Sequence, residues 1–312
     1  MLTNRSTPGF ALWLAAGQKF YPGFSAVALR KRLSFLFHYL KFRQQLLAFF
    51  REPDHEALSR ELMTRPEIMG FIIWPYVHAG WPVMQRFKAL AQHHQALRSD
   101  MAAVAVTSSG PLVVADMSDT SPGLRLVIDQ APKFKREGDL LFSQFLNDER
   151  LMSLAFSFGW QDGERVAYVG SVQGSNVDSA LAKYREIAKD LQGMRSRDFL
   201  IKTFQHLTHH MGVKRVLCVG EEARHHRHRF FRKSNMASLN LNYDEMWQEH
   251  AGVRTADGFY RLASLPVIRS MADIAAKNRP LYRRRYALMD KLSADIASRF
   301  GTSNPPTRPE SP

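Results

Sequence analysis

A glycine-bounded stretch between a strand pattern and a helix pattern is a place where an anionic ligand could bind. Gly170-Ser171-Val172-Gln173-Gly174 is predicted to be a turn. Glycine lets backbone N–H groups come close to a ligand, and a helix N-terminus attracts negative charge. The stretch lacks the Lys-Ser/Thr ending of a phosphate-binding loop, so a tight turn before a capped helix is the alternative. The predicted ligand groups are Gln173, Gly174, Ser175 and Asn176, with Arg195 and Arg197 as a second phosphate contact.

A short predicted helix carries the second candidate site. Tyr243, Asp244 and Trp247 lie three and four residues apart, so they can share one helix face. With Tyr260 they form a candidate pocket, whose carboxylate binds a ligand or acts as a base. The alternative is a packing face on which Asp244 caps a helix or pairs with an arginine.

The histidines and the single cysteine do not form a recognisable catalytic site in the sequence. His206, His209 and His210 share one predicted helix, and the first and last have a spacing that metal ligands use. Leu207 stands where a zinc-protease helix needs Glu, so we predict a polar helix face and no metal. Cys218, the single cysteine, lies in a predicted buried strand and is a poor nucleophile.

The charge of the chain predicts a polyanionic partner. The 312 residues carry a net charge of +14, and residues 1–51 contain no acidic residue at all. An anionic membrane surface is the favoured partner; nucleic acid is an alternative without a readable recognition module. Three solvated basic faces would give the same composition. The candidate basic patch consists of Arg30, Lys31, Arg32, Arg224, Arg227, Arg229, Arg283, Arg284 and Arg285.

Residues 25–50 are predicted to form an amphipathic helix. Apolar residues recur at helical spacing, and lysines and arginines interrupt them. The pattern is typical of an interfacial membrane helix, or of a helix that packs on the protein's own core. No apolar run reaches the length of a membrane-spanning helix. We therefore expect a cytoplasmic protein, peripheral at the inner membrane face. The repeating leucines are Leu29, Leu33, Leu36, Leu40 and Leu47.

These residues must be positioned by an α+β fold, in which a helical N-terminal region packs on a mixed, mainly antiparallel sheet with helices. The predicted divisions are a basic helical region (1–100), an α+β domain (101–300) and a disordered tail (301–312). Helices are predicted at 25–50, 54–64, 83–98, 133–147, 177–191, 200–211 and 268–299, the last with a kink at Pro280. Strands are predicted at 102–107, 112–117, 124–130, 152–160, 165–173, 213–219, 239–242 and 259–262.

The predicted order of elements from residue 165 to 220 is strand, glycine turn, helices, strand. This layout is similar to the N-acetyltransferase fold, in which a comparable turn holds the pyrophosphate of coenzyme A. The resemblance implies a possible acyltransferase that uses coenzyme A or an acyl carrier protein. It is a resemblance of layout alone.

Five phrases occur in a fixed order along the chain: Gly170-Ser171-Val172-Gln173-Gly174, Leu191-Gln192-Gly193-Met194-Arg195, Asn242-Tyr243-Asp244-Glu245-Met246-Trp247 with Gly252, Gly258-Phe259-Tyr260-Arg261-Leu262, and Arg279-Pro280-Leu281-Tyr282-Arg283-Arg284-Arg285-Tyr286. Together they resemble the VirK/YbjX family of bacterial proteins, and the resemblance extends from about residue 30 to 295. The family commonly has Pro after the Gly-x-Arg near Arg195, where this chain has Ser196.

The resemblance implies biological roles and does not imply a particular reaction. Members are associated with virulence, with surface display of an outer-membrane protein, with resistance to membrane-active peptides and with stress responses. No catalytic residue and no known cofactor carry over. The leading expectation is therefore an envelope-associated stress or virulence factor at an anionic membrane face, with envelope proteins as possible partners. The alternatives are the acyltransferase and a nucleic-acid-linked stress protein.

Overall fold

The computed structural model describes residues 9–99, 101–104, 110–175, 180–231 and 241–301. Its helices are α1 (Phe10–Phe20), α2 (Ala26–Arg51), α3 (Glu56–Thr64), α4 (Val83–Arg98), α5 (Ala180–Asp190), α6 (Ser196–His210), α7 (Tyr243–Glu249) and α8 (Arg279–Phe300). Its strands are β1 (Leu112–Asp116), β2 (Leu124–Asp129), β3 (Leu140–Leu146), β4 (Glu149–Gln161), β5 (Glu164–Gly174), β6 (Arg215–Val219), β7 (Val253–Arg254) and β8 (Phe259–Leu262). The α+β class expected from the sequence is confirmed.

The described strands form one mixed sheet in the order β1-β2-β3-β4-β5-β6-β8-β7. Strands β1 to β5 pair antiparallel in succession. β5 and β6 run parallel, because the chain between them passes through α5 and α6 before it re-enters the sheet. The expected order of strand, helices and strand is therefore present.

Helices α4 and α6 both pack on the central strands of the sheet. Phe204 of α6 contacts Phe142 of β3 and Phe156 of β4, with ring centroids 5.9 and 4.8 Å apart. On α4, His93 Nδ1 accepts the backbone N–H of Phe158 at 3.1 Å. Most buried apolar side chains of the described residues form one large cluster that includes residues of both α1 and α8, and Phe134, Leu141 and Ala155 form a small second cluster. Helices before residue 100 and strands after it therefore share a core.

Helices α1 and α2 pair through aromatic side chains. The Trp13 ring stacks on Tyr39 with centroids 4.8 Å apart. Arg32 reaches back to the connection between the helices and donates to the carbonyls of Tyr21 and Gly23 at 2.8 and 2.7 Å. These contacts hold the two helices together as a hairpin.

A buried carboxylate ties the N-terminal helices to the sheet. Asp139 precedes β3 and accepts two hydrogen bonds from the Arg65 guanidinium, at 2.7 and 3.1 Å. Gln130 donates a third at 3.1 Å, and His93 and His94 approach from α4 at 3.4 and 3.8 Å. These partners hold the pKa of Asp139 well below its usual value, although burial alone would raise it.

The stretch 133–147, which was predicted to be a helix, contains β3 instead. Pro132–Phe134 form a short 3₁₀ turn, and Leu140–Leu146 pair with both β2 and β4. A short apolar run cannot be assigned to helix or strand by periodicity alone. Hydrogen bonds to two neighbouring strands decide the outcome here.

Three other predictions also need correction or lie outside the described residues. Of the strand predicted at 102–107, residues 102–104 form a 3₁₀ turn and the rest are outside the described ranges. The helix predicted over 268–299 begins only at Arg279; Pro280 occupies its first turn, where no N–H is needed, and produces no kink there. Of the strand at 239–242, the first half lies outside the described ranges and the second half is not a strand, and the tail, Gly301 apart, is also outside them.

Helix α8 packs on α6 and ends beside the first strand of the sheet. Arg299 donates to the carbonyl of Val114 at 2.8 Å and to that of Val113 at 3.0 Å. The C-terminal helix therefore reaches back to β1.

Candidate functional site

Residues 170–174, which were predicted to form a turn, belong to β5 and lie beside β4. The register shifts at Gly170, because Ser171 pairs with Ala155 while Val169 pairs with Phe156. A Cβ at Gly170 would lie 1.9 Å from the carbonyl oxygen of Glu137. Glycine is required here because another segment of the chain crosses the bulge.

The described donors of the predicted anion site are bound within the chain. Gln173 donates its amide to both oxygens of Glu137, at 2.8 and 2.9 Å. The N–H of Ser175 lies 2.6 Å from the carbonyl oxygen of Leu151 and 2.9 Å from the hydroxyl of Tyr184. These groups therefore do not form an open cradle for the pyrophosphate of coenzyme A.

The two arginines of the same prediction have different surroundings. Arg197 donates to Glu249 at 2.8 Å and lies 3.3 Å from Asp198, whereas Arg195 is exposed. Asn176 lies outside the described residues. The structure therefore does not bring the described members of this set together around one ligand position.

Glu137 is the centre of a buried polar cluster. Ser171 donates to one carboxyl oxygen at 2.6 Å, and Gln173 donates to both. His225 Nδ1 lies 3.2 Å from the other oxygen. Burial raises the pKa of Glu137 to about 7, although the bonds from Ser171 and Gln173 and the nearby Arg224 lower it. Burial also lowers the pKa of His225, to about 3.

A carboxyl group with a pKa near 7 can exchange a proton close to neutral pH, as a general acid or base must. Glu137 is only 4% exposed, however, and its described neighbours fill the space around both oxygens. In this conformation it connects the segment before β3 to β5. No pattern in the sequence indicates Glu137 as a site residue, because it lies in the stretch that was predicted as a helix.

The predicted pocket of Tyr243 and Trp247 is filled by these side chains themselves. The Tyr243 hydroxyl accepts the N–H of Val172 in β5 at 2.9 Å and lies 3.1 Å from its carbonyl oxygen. Trp247 donates its indole N–H to Val219 of β6 at 2.8 Å. Since β5 and β6 pair only up to Val169, helix α7 fills the gap where the two parallel strands separate.

The other two members of that prediction also have internal partners. Asp244 accepts the N–H of Glu221 at 2.8 Å, so it caps the 3₁₀ turn after β6. Tyr260 is buried in β8 and pairs with Cys218 of β6. The structure brings Tyr243, Trp247 and Asp244 together as a packing face.

The arginines after β6 do not form one exposed patch. Arg224 is buried, with its guanidinium 3.9 Å from the centre of the Tyr243 ring and 3.0 Å from Glu221. Arg227 also pairs with Glu221, at 2.7 Å, whereas Arg229 is exposed. Arg224 therefore supports α7 instead of facing a partner.

The hairpin of α1 and α2 carries an exposed apolar surface, which we call the outer face. Leu33 and Phe37 are 67% and 65% exposed, and a 100° step per residue places them away from the buried Phe35 and Tyr39. Helix α2 therefore has two apolar faces, one against the core and one towards solvent. The outer face consists of Phe24, Val27, Leu29, Leu33, Phe37 and Leu40.

Basic side chains lie beside the outer face. Arg30, Lys31 and Lys41 are exposed on α2, while Arg32 is used to hold the hairpin. The remaining arginines of the predicted basic patch lie on α8, where Arg283 and Arg284 are exposed and Arg285 donates to the carbonyl of Gln192 at 2.6 Å. The positive charge of the hairpin is thus adjacent to apolar side chains.

In the described ranges, no group of three or more His, Cys, Asp or Glu side chains is arranged to hold a metal ion. No helix in the same ranges is both long and apolar enough to cross a membrane.

Comparisons with known proteins place the chain in a family. A family model described as "Protein of unknown function (DUF535)" matches residues 25–298. The chain is 23% identical over 276 residues to "Uncharacterized protein YbjX" of Escherichia coli, a match that covers 86% of this chain and 83% of that protein. Two Haemophilus influenzae proteins, each called "Uncharacterized protein", are 29% identical over 150 residues and 26% identical over 133 residues. These two matches span 48% and 43% of the relatives' lengths. No solved structure matches the chain. The resemblance to the VirK/YbjX family is confirmed, and the chain belongs to the DUF535 family.

Proposed function

We propose that the protein is an envelope-associated factor that attaches to an anionic membrane face through the outer face of α2. The observation that carries this proposal is the row of exposed apolar side chains, Leu33, Phe37 and Leu40, on a helix without a single acidic residue. Apolar side chains flanked by lysine and arginine are the composition of helices that lie in the membrane interface.

The expected energies are large enough for reversible attachment. A leucine or phenylalanine side chain removed from water contributes about 1.5–3 kcal/mol, and a basic residue near an anionic surface about 1 kcal/mol. Together, the apolar side chains Leu33, Phe37 and Leu40 and the basic side chains Arg30, Lys31 and Lys41 would contribute about 7.5–12 kcal/mol. The lower end of this range is close to the ~8 kcal/mol of a micromolar affinity. Attachment of this strength is peripheral and sensitive to salt.

The inner membrane face is the proposed location, because its anionic lipids complement the basic hairpin. Roles in stress resistance, virulence, surface display of envelope proteins or resistance to membrane-active peptides would follow from that location. They are supported only by the family resemblance.

Flotation with phosphatidylcholine vesicles, with and without phosphatidylglycerol, tests the attachment. We expect the triple variant Leu33→Ser, Phe37→Ser, Leu40→Ser to bind anionic vesicles at least about tenfold more weakly than the wild type. The matched control replaces Met63, Leu181 and Val253 by serine, because these side chains are exposed to a similar degree elsewhere. Deletion of residues 1–51 is a poor test, since Trp13, Phe35 and Tyr39 belong to the core.

Equal loss of binding in both triple variants, or equal binding of the wild type to both kinds of vesicle, would contradict the proposal. Sedimentation of the same samples tests whether the outer face binds a second copy of the chain. If the hairpin variant dissociates a dimer without changing vesicle binding, the outer face joins two copies of the chain instead.

A second proposal is acyl transfer with coenzyme A or an acyl carrier protein. Its support is the parallel pair β5 and β6 with helices between them, and the occupied donors at Gln173 and Ser175 count against it. Calorimetric titration with coenzyme A and acyl-coenzyme A tests it. Binding weaker than about millimolar, some 4 kcal/mol, would remove this proposal.

A further inference from the structure

A large cavity lies between α6, α7, the segment 263–270 and α8. Its volume is about 1220 Å³, above the roughly 300–1,000 Å³ of most small-molecule sites. None of the residues described as lining it belongs to α1 or α2. An inference from this cavity is therefore independent of the proposed membrane attachment.

The polar face of α6 forms one wall of the cavity. Asp198, Lys202 and His206 line it at intervals of four residues, while Phe199 and Phe204 of the same helix are buried in the core. The histidines that the sequence placed on a polar helix face thus face this cavity. This side of α6 is polar because it lines the cavity, whereas the opposite side packs in the core.

Helix α8 and the segment 263–270 form the opposite walls. Tyr282, Arg285 and Tyr286 line the cavity from α8, and Arg269 lies at its exposed rim. The Arg285 guanidinium is 4.9 Å from the centre of the Tyr282 ring. The apolar part of the lining consists of Met194, Leu265, Pro266, Val267, Ile268 and Met289.

The charged side chains that line the cavity are three acids, Asp198, Glu249 and Asp290, and three cations, Lys202, Arg269 and Arg285, and Lys202 forms an ion pair with none of the acids. Within the described residues, Lys202 forms no ion pair and no hydrogen bond through its side chain. Asp198, the nearest acid on α6, already contacts Arg197 at 3.3 Å and His250 at 3.4 Å. Burial lowers the pKa of Lys202, and the nearby Arg285 and Arg269 lower it further, although Asp198 raises it. An anion beside Lys202 would relieve this repulsion.

We propose that the cavity binds a phosphate-bearing ligand with an apolar or aromatic body, whose phosphate contacts Lys202, Arg285 and Arg269. The body lies against Leu265, Pro266 and the tyrosines of α8. Lysine and arginine are the residues that bind phosphate as cations, and arginine does so with a planar pair of donors. A lipid and a nucleotide cofactor both offer this chemistry.

Calorimetry with the full chain tests the assignment with three soluble probes. Dihexanoyl phosphatidic acid represents a lipid, coenzyme A represents a nucleotide cofactor, and inorganic phosphate has no body. We expect one of the first two probes to bind at micromolar concentration and phosphate at least about tenfold more weakly. Lys202→Gln should weaken that binding by at least about tenfold, and Lys291→Gln, the same change at an exposed site outside the cavity on α8, should not.

Arg269→Gln provides a second variant, because this residue is exposed and its replacement leaves the core intact. It should also weaken binding, with an unchanged melting temperature. The proposal is overturned if no probe binds more tightly than about millimolar, if phosphate binds as tightly as the larger probes, or if Lys202→Gln and Lys291→Gln behave alike. Coenzyme A binding that Lys202→Gln abolishes would place that ligand here and not beside Gly174. None of these measurements involves a membrane, so they succeed or fail independently of vesicle binding.

Discussion

Glu137 and Asp139 are buried only two residues apart, yet their pKa values move in opposite directions. Burial raises the pKa of Asp139, but His93, His94 and the Arg65 guanidinium around its carboxyl group together lower it further than burial raises it. Glu137 accepts its hydrogen bonds from Ser171 and Gln173, and there the effect of burial on the pKa dominates. The partners around each carboxyl group, set against its burial, decide which one keeps its proton near neutral pH.

We expect Glu137→Gln to remove a fall in stability between about pH 4.5 and pH 7. The pKa of Glu137 is raised to about 7 in the fold, so the folded protein binds the proton more tightly than the unfolded chain. Stability therefore decreases as the pH rises through this window, by about 3 kcal/mol at 1.36 kcal/mol per pKa unit. Urea unfolding across the window measures the slope. Glu222→Gln, at an exposed site, should keep the wild-type slope, and an unaltered slope in Glu137→Gln would contradict the assignment.

Asp139→Asn should destabilise the protein strongly near neutral pH. The substitution removes the buried anion of Arg65, which keeps only the more distant Glu61 and Glu67 at 3.4 and 3.8 Å, and breaking a buried ion pair costs about 3–5 kcal/mol. Because the pKa of Asp139 is depressed in the fold, this contribution is present above the unfolded-state pKa and is lost as the pH falls below it. Thermal unfolding compares it with Asp148→Asn, whose carboxylate is fully exposed and pairs with Arg125. Similar melting temperatures for the two variants would rule out the anchoring role.

At the scale of elements, α7 closes a gap that the sheet leaves open. A parallel pair needs regularly spaced backbone bonds, but β5 continues for five residues after its pairing with β6 ends at Val169. Tyr243 and Trp247 bond the backbones of the two strands where they no longer bond each other. The short helix thus substitutes for strand pairing.

Tyr243→Phe should cost about 1–3 kcal/mol, because the N–H of Val172 loses its buried partner. Amide exchange at Val172 should also accelerate more than at Val166, which pairs with β6. Tyr282→Phe is the control, since no described residue forms a hydrogen bond with its hydroxyl. Unchanged stability and unchanged exchange at Val172 would show that the hydroxyl is dispensable.

The sequence predicted elements well where local signals were sufficient. Asp162 and Gly163 lie between the strands predicted at 152–160 and 165–173 and have positive φ values of 54° and 75°, as a two-residue hairpin turn requires. The helix predicted at 83–98 has those bounds. Leu140–Leu146 were missed because pairing on both sides, not local periodicity, makes them a strand. The turn and the helix are determined by residues close in sequence, whereas the strand Leu140–Leu146 is determined by pairing within the assembled sheet.

The same distinction between local patterns and long-range contacts applies to the candidate site. Gln173, Tyr243 and Arg224 were each selected, but for three different sites, and the structure joins them around Glu137 and its neighbours. No spacing in the sequence indicates that the chain before β3 crosses the bulge of β5. The outer face of α2 could be predicted, because an apolar stripe with basic residues needs only helical periodicity.

At the scale of the whole molecule, the net charge of +14 makes the proposed membrane attachment sensitive to salt. We expect binding to anionic vesicles to weaken as the Debye length falls from about 10 Å at 0.1 M salt to about 3 Å at 1 M. The apolar side chains of the outer face should keep a residual fraction bound. Flotation across this range of salt concentrations measures both the salt-dependent and the residual binding. Binding that does not depend on salt would contradict the electrostatic part of the proposal.

The contact of Arg299 with β1 has a consequence for the growing chain. β1 is an edge strand of the sheet. The unpaired backbone carbonyl groups of an edge strand can pair with strands of other molecules. The guanidinium that covers Val114 is 185 residues further along the chain, so strands β1 to β5 can form long before their edge is protected. Chains that end before α8 should therefore self-associate during synthesis, and the final helix acts as a cover against aggregation.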